Sequence, residues 1–106
     1  MTIRAAQTQA AKIASEHGFK ETDLSTKLLL MVGEVAEGFE EIRAGRAVDE
    51  VYEKEGKPEG LPIELADVII RILSFADAHN IDMEEMVSMK MTYNASRPFM
   101  HGNKKF

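Results

Sequence analysis

The chain contains no cysteine, and this absence excludes three classes of site. Without thiols there is no disulfide framework, no thiolate zinc centre and no cysteine nucleophile. Long apolar runs are also missing, because the longest, residues 28–32, has five residues against the roughly 18 that a membrane span needs. The N-terminus lacks the apolar stretch of a signal peptide, so we expect a cytoplasmic protein with no membrane partner.

An excess of positive charge is absent as well. The chain has 13 Lys and Arg residues against 18 Asp and Glu, which gives a net charge of −5. Surfaces that bind nucleic acids are usually basic, so we expect no nucleic-acid polymer as a partner. A small anionic ligand stays possible if metal ions supply the positive charge. The length, 106 residues, is typical of one domain, and we expect residues 1–106 to form one.

The periodicity of apolar residues is helical, and hairpin signals such as Asn-Gly or Asp-Gly are absent. The pattern predicts an all-α, four-helix bundle-like fold with helices over residues 3–16, 24–44, 62–79 and 83–96. The third helix is apolar nearly all round, which predicts a central position. Asp23 or Ser25 is expected to cap the second helix. Residues 46–60 are expected to be a polar connector with at most a short helix.

Two of these helices carry paired carboxylates three residues apart, a spacing that puts both members on one helical face. The four residues are Glu34, Glu37, Glu64 and Asp67. If the helices pack antiparallel, the pairs converge, and the local cations Lys27 and Arg71 are too few to neutralise them. Since buried charges are paired or bind metal, the pattern predicts a carboxylate site for Mg²⁺ or Mn²⁺. Either motif alone is more typical of a solvated helix face.

Three neighbours of these motifs are also informative. Glu41 follows Glu34 by seven residues and could reach a second ion, whereas Glu40 is expected to face water. Arg71 lies four residues after Asp67 and is expected to pair with that carboxylate, orienting it.

The ordered set of motifs resembles the MazG-type all-α nucleoside triphosphate pyrophosphohydrolases. Glu34-x-x-Glu37 and Glu64-x-x-Asp67, separated by 26 residues, are similar to the paired motifs of that family. Their contexts, KLLLMVGEVAEGFEEIRAG and GLPIELADVIIRILSFADAHNID, are similar to its second and third helices. The closing MKMTYNASRPFMHGNKKF is similar to its Lys-x-x-x-Asn-x-x-Arg segment and basic tail. The resemblance covers about residues 15–106.

The resemblance implies a Mg²⁺-dependent enzyme that cleaves nucleoside or deoxynucleoside triphosphates between the α- and β-phosphates, releasing a monophosphate and pyrophosphate. The metal ligands of the family carry over to Glu34, Glu37, Glu64 and Asp67. Members of the family are dimers or tetramers whose active sites are often completed by a neighbouring subunit. We therefore expect a homodimer or homotetramer with shared active sites.

Phosphoryl transfer also needs a base for the attacking water and cations for the phosphates. Glu37 or Glu34 is the expected catalytic base. The expected substrate-binding residues are Lys27, Lys90, Asn94, Arg97 and Phe19. Lys90, Asn94 and Arg97 are spaced four and three residues apart and so share a helical face. The ring of Phe19 is expected to stack on the nucleobase of the substrate. Surface, core or interface roles are the alternatives for each.

Other functions are compatible with the same pattern. Within the same superfamily, the chain could be a phosphoribosyl-ATP pyrophosphohydrolase or a dUTP- or dCTP-specific enzyme. A di-iron or di-manganese carboxylate bundle needs Glu-x-x-His pairs, which this sequence lacks. A non-catalytic helical interaction module, whose acidic face binds a basic partner, is the remaining alternative.

Overall fold

Over residues 1–17 and 23–97 the chain folds into four helices and one small hairpin. The computed structural model describes residues 1–17 and 23–97. The helices are α1 (Ile3–Glu16), α2 (Leu24–Arg43), α3 (Leu61–Ala78) and α4 (Met83–Ser96). The predicted all-α class is confirmed, and each predicted helix boundary lies within one residue of the observed one.

Local chemistry explains where the helices begin. Thr2, Asp23 and Asp82 each accept a hydrogen bond on the side chain from the backbone N–H three residues later, which satisfies a donor that the first turn leaves free. Of the two predicted caps for α2, Asp23 is therefore the one that forms. Helix α3 begins after Gly60 without a side-chain cap and carries Pro62 in its first turn, where a missing N–H costs nothing.

The connector between α2 and α3 differs from the prediction. It contains an antiparallel hairpin of β1 (Tyr52–Lys54) and β2 (Lys57–Glu59), so the expectation of at most a short helix in residues 46–60 was wrong. The two turn residues, Glu55 and Gly56, both have positive φ, at 54° and 81°. Tight hairpins favour such a turn, but its usual sequence is Asn-Gly or Asp-Gly, and the signal was therefore missed.

Helix α3 lies between α1 and α2, while α4 packs against α1 and β2 contacts α3. The predicted central position of α3 is thus confirmed. Helices α2 and α3 run antiparallel, because Gly38 approaches Leu61 and Glu64 at the start of α3 while Glu34 bonds Arg71 further along it. A Cβ atom on Gly38 would lie 2.8 Å from Leu61 Cδ1, so the glycine permits this close approach.

The two sides of α2 are used in an unusual way. The side towards α3 is at least partly buried and consists of Lys27, Met31, Glu34, Gly38 and Glu41, which we call the inner stripe. The adjacent side, which we call the outer stripe, is exposed and consists of Leu28, Val32, Val35, Phe39 and Ile42, each one residue after a member of the inner stripe. Each stripe repeats at spacings of three and four, so each is one helical face. Glu34 and Glu41 thus lie on the side towards α3, whereas the large apolar residues of the outer stripe are exposed.

The apolar core of the single chain is small. Among the described residues, the buried apolar side chains are Ala10, Leu73 and Ala76. Much of the apolar surface of α2, α3 and α4 stays exposed. No helix within residues 1–17 and 23–97 combines the length and apolar character needed to cross a membrane.

Gln7 connects α1 to the loop that precedes α4. This side chain is only 7% exposed; its Nε2 donates to the carbonyl of Ile81 at 2.7 Å, and its Oε1 accepts from the N–H of Met83 at 3.1 Å. Nearby, Arg4 pairs with Asp82 and Glu84, both at 2.9 Å. The position of α4 therefore depends on polar contacts with α1.

Replacement of Gln7 by alanine should lower the free energy of unfolding by about 1–3 kcal/mol, because two backbone groups lose their buried partner. Gln9 is exposed on the same helix, and Gln9→Ala is the matched control, with an expected change close to zero. Urea denaturation followed by circular dichroism measures both. Equal stability of the two variants would contradict the assigned role of Gln7.

Candidate metal centre

Three of the four predicted carboxylates meet between α2 and α3. Glu34 and Glu37 come from α2 and Glu64 from the first turn of α3, and each offers an oxygen within 4.8 Å of the others. We call this group the helix cluster. Its members converge because α2 and α3 approach closely at Gly38, which lies one residue after Glu37.

A second carboxylate group lies beside the first and shares one member with it. Glu41, Glu59 and Glu64 also offer oxygens that lie within 4.8 Å of one another; we call them the hairpin cluster. The sequence had indicated Glu41 as a ligand of a second ion. Glu59 was missed, because the hairpin that places this residue of β2 beside Glu41 was not predicted.

Glu64, the member common to both clusters, is the least exposed of these carboxylates. It is only 9% exposed, and its Oε2 atom has no hydrogen-bond partner among the described residues. Burial raises the pKa of Glu64 to about 7, and the contact with the Glu37 carboxyl group and the charges of Asp67 and Glu34 act in the same direction. A buried carboxylate without a partner is costly, and a divalent cation would remove that cost.

Asp67, the fourth predicted ligand, lies at the edge of the helix cluster and not within it. Burial is the main cause that raises the pKa of Asp67, and the negative charge of Glu34 is the next. Asp67 and Glu34 are therefore near neighbours. Arg71 stabilises the ionised form of Asp67, but its Nε donates to Glu34 Oε1 at 2.7 Å. The predicted pairing of Arg71 was therefore assigned to the wrong carboxylate, since the antiparallel neighbour α2 presents Glu34 to it.

The hairpin holds Glu41 in position. The Tyr52 hydroxyl lies 3.1 and 3.0 Å from the two oxygens of Glu41 and donates to that carboxylate. Burial and this carboxylate raise the pKa of Tyr52, so the hydroxyl keeps its proton. Arg46 covers the Tyr52 ring at 3.9 Å and pairs with Glu50 at 3.1 Å.

The predicted phosphate-binding residues of α4 are not brought to the carboxylates within one chain. Lys90 and Arg97 both lie over the ring of Tyr93, at 4.9 and 5.6 Å, so they share a face, and Asn94 is exposed on the same helix. That helix packs against α1. Phe19 lies outside the described residues.

Two residues of α2 complete the comparison with the predicted site. Lys27 is half-buried on the inner stripe, the side of α2 that carries Glu34. Glu40 is exposed and pairs with Arg43 at 2.9 Å, so the expectation that it faces water is confirmed.

Comparison with known proteins finds no family model, no curated protein and no solved structure with a significant match to this chain. The resemblance to the MazG-type enzymes therefore rests on the motifs of the sequence.

The raised pKa of Glu64 predicts a pH dependence of stability in protein stripped of divalent ions. Unfolded Glu64 loses its proton near the ordinary value of 4.5, whereas the folded chain keeps that proton up to about pH 7. The free energy of unfolding should therefore fall as the pH rises through this window, by roughly 3 kcal/mol, and then level off.

Glu64→Gln should remove this decline, because glutamine does not titrate. Thermal and urea denaturation in EDTA from pH 5 to 8 measures the two profiles, and histidine titration is common to both proteins. Parallel profiles would show that Glu64 is not the group responsible.

Proposed function

We propose that this protein is a Mg²⁺-dependent hydrolase that converts nucleoside or deoxynucleoside triphosphates to monophosphate and pyrophosphate, as the resemblance to MazG-type enzymes implies. One observation carries the proposal. The Oε2 atom of Glu64 is buried without a hydrogen-bond partner among the described residues, and it lies beside other carboxylates of the motifs that resemble that family. The substrate is an anion, and an acidic pocket would repel it unless cations were bound there.

The donor set fits Mg²⁺ or its substitute Mn²⁺. Glu34, Glu37 and Glu64 would hold the ion, with Asp67 beside them. Carboxylate oxygens are the ligands that Mg²⁺ prefers, and Mg²⁺ usually keeps positions open for water and phosphate oxygens. Bound Mg²⁺ would supply charge neutralisation and a water of lowered pKa.

Glu37 is the better candidate for the general base. Glu34 is occupied by the short hydrogen bond from Arg71, whereas Glu37 is exposed to solvent and would accept a proton from an attacking water there. We assign Glu34 to metal binding and Glu37 to both roles. Hydrolysis then requires cations for the leaving pyrophosphate.

We assign these cations to Lys27 on the inner stripe and to Lys90, Asn94 and Arg97 on α4. Since α4 packs against α1 in one chain, the α4 residues would reach the carboxylates across a subunit interface. The arginine suits two-pronged phosphate contacts, and the lysines act as point charges. Tyr93, which lies against both cations of α4, would hold them together.

The outer stripe of α2 supports assembly of two or more copies. Its five large apolar residues are exposed at the spacing by which helices pack in coiled coils. Complete burial of one such side chain contributes about 1.5–3 kcal/mol. Two copies of the stripe, paired symmetrically, would together bury ten of these side chains. The proposed occupant of this face is a second copy of the chain, in a homodimer or a homotetramer.

Glu37→Gln should abolish turnover and leave the fold intact, because it removes the base and a metal ligand while preserving shape. Glu40→Gln is the matched control on the same helix and should retain activity, since Glu40 faces solvent. The assay measures pyrophosphate release with Mg²⁺ from a panel of ribo- and deoxynucleoside triphosphates and from phosphoribosyl-ATP.

Activity of Glu37→Gln close to that of the wild type would remove Glu37 from the mechanism. Turnover of phosphoribosyl-ATP alone, or of dUTP or dCTP alone, would instead favour the narrower enzymes. If calorimetry detected neither Mg²⁺ binding nor binding of a non-hydrolysable nucleotide, the interaction module would replace the hydrolase.

Val32→Glu should prevent assembly, because it introduces a charge into the middle of the outer stripe, where Val32 is 63% exposed in the single chain. Val48→Glu, at a loop residue that is 69% exposed, is the same substitution outside the stripe and should leave assembly unchanged. Light scattering after gel filtration gives the masses. An unchanged mass for Val32→Glu would contradict pairing through this face.

A further inference from the structure

We propose that the hairpin cluster, Glu41, Glu59 and Glu64, is a second divalent-cation site, which fastens the hairpin to α2 and α3. The site shares Glu64 with the proposed catalytic ion but does not depend on hydrolase activity. Its ligands come from three different elements, namely α2, β2 and α3, so one cation would join all three.

Glu64 provides an observation that is independent of the clustering itself. The residue is only 9% exposed, its Oε2 has no hydrogen-bond partner within residues 1–17 and 23–97, and one of its oxygens lies within 4.8 Å of those of Glu41 and Glu59. A carboxylate has two oxygens and can bridge two cations, as carboxylates in two-metal sites do. Glu64 can therefore serve the helix cluster and the hairpin cluster together.

The surrounding cations do not neutralise the hairpin cluster. Lys57 Nζ lies 4.0 Å from Glu59 Oε1 and its side chain is largely exposed, and exposed pairs of this kind contribute little. Arg46 interacts with the charge of Glu41 only weakly, because its closer partners are Glu50 and the ring of Tyr52. Three carboxylates with so little compensation are a suitable oxygen-ligand set for a hard divalent cation.

Two features hold these ligands in place. The Tyr52 hydroxyl bonds Glu41, in the way that partners behind a metal ligand orient it. Gly60, next to Glu59, has a φ of 123°, and a Cβ atom there would clash with the carbonyl oxygen of Glu50. The end of β2 is therefore packed tightly where it delivers Glu59 to α3.

An ion at this position would stabilise an element that is weak by itself. Each strand of the hairpin has three residues, and an isolated two-stranded hairpin is marginally stable in water. A cation bound by Glu41, Glu59 and Glu64 would stabilise the hairpin against the helices. Its loss would therefore lower thermal stability as well as the number of ions bound.

The test is titration of the full-length protein with Mn²⁺ at pH 8, with free Mn²⁺ followed by electron paramagnetic resonance. The wild type should bind two ions per chain. Glu59→Gln and Glu41→Gln should each bind one, and Glu53→Gln, an exposed glutamate of β1, is the matched control and should bind two. Circular dichroism verifies that each variant is folded, and melting with and without Mn²⁺ should show a smaller stabilisation in the first two.

Tyr52→Phe leaves every carboxylate in place and should weaken binding of one ion by about 10- to 100-fold. Two ions bound to both Glu59→Gln and Glu41→Gln, or one ion bound to the wild type, would overturn the second site. Glu37→Gln separates the two proposals. If Glu37→Gln lost one ion and Glu59→Gln lost none, the hairpin site would be overturned and the proposed catalytic ion retained. If Glu59→Gln lost one ion and Glu37→Gln lost none, the proposed catalytic ion alone would be overturned.

Discussion

The burial of the Glu64 carboxylate at the contact between α2 and α3 is the constraint on which the other features of the site depend. Gly38 lets the helices approach closely enough to bring three acidic side chains of the helix cluster together, and the same closeness removes water from Glu64. The resulting charge repulsion and desolvation work against folding. Arg71 offsets part of this cost through Glu34, and cations would offset the remainder.

The reversed amphipathicity of α2 links metal binding to assembly. In an ordinary surface helix the apolar face packs inward and the charged face is solvated, whereas here the inner stripe carries Glu34 and Glu41 and the outer stripe is apolar. A helix of this kind is unfavourable in isolation on both sides. Cations on one side and a second copy on the other would satisfy both, so the two proposals address the same physical problem.

The remaining elements position charged side chains around this helix pair. The hairpin delivers Glu59 and, through Tyr52, holds Glu41, so it extends the acidic site beyond the helices. On the other side of α3, Gln7 and Arg4 of α1 fix the beginning of α4, which carries the basic residues of the proposed phosphate site. Lys27 lies on the same stripe as Glu34, but the basic residues of α4 belong to a different side of the single chain from the carboxylates, and the proposed assembly would unite them.

The sequence by itself determined the four helices, limited the cap of α2 to Asp23 or Ser25 and put the two members of each carboxylate pair on one helical face, because apolar periodicity and capping depend on residues within one or two turns. The convergence of Glu34, Glu37 and Glu64 also followed, given antiparallel packing. Only the tertiary structure decided the contribution of Glu59 and the partner of Arg71. Contacts between elements depend on how distant segments pack, and the hairpin turn, with glutamate where asparagine or aspartate is usual, carried no recognisable local signal.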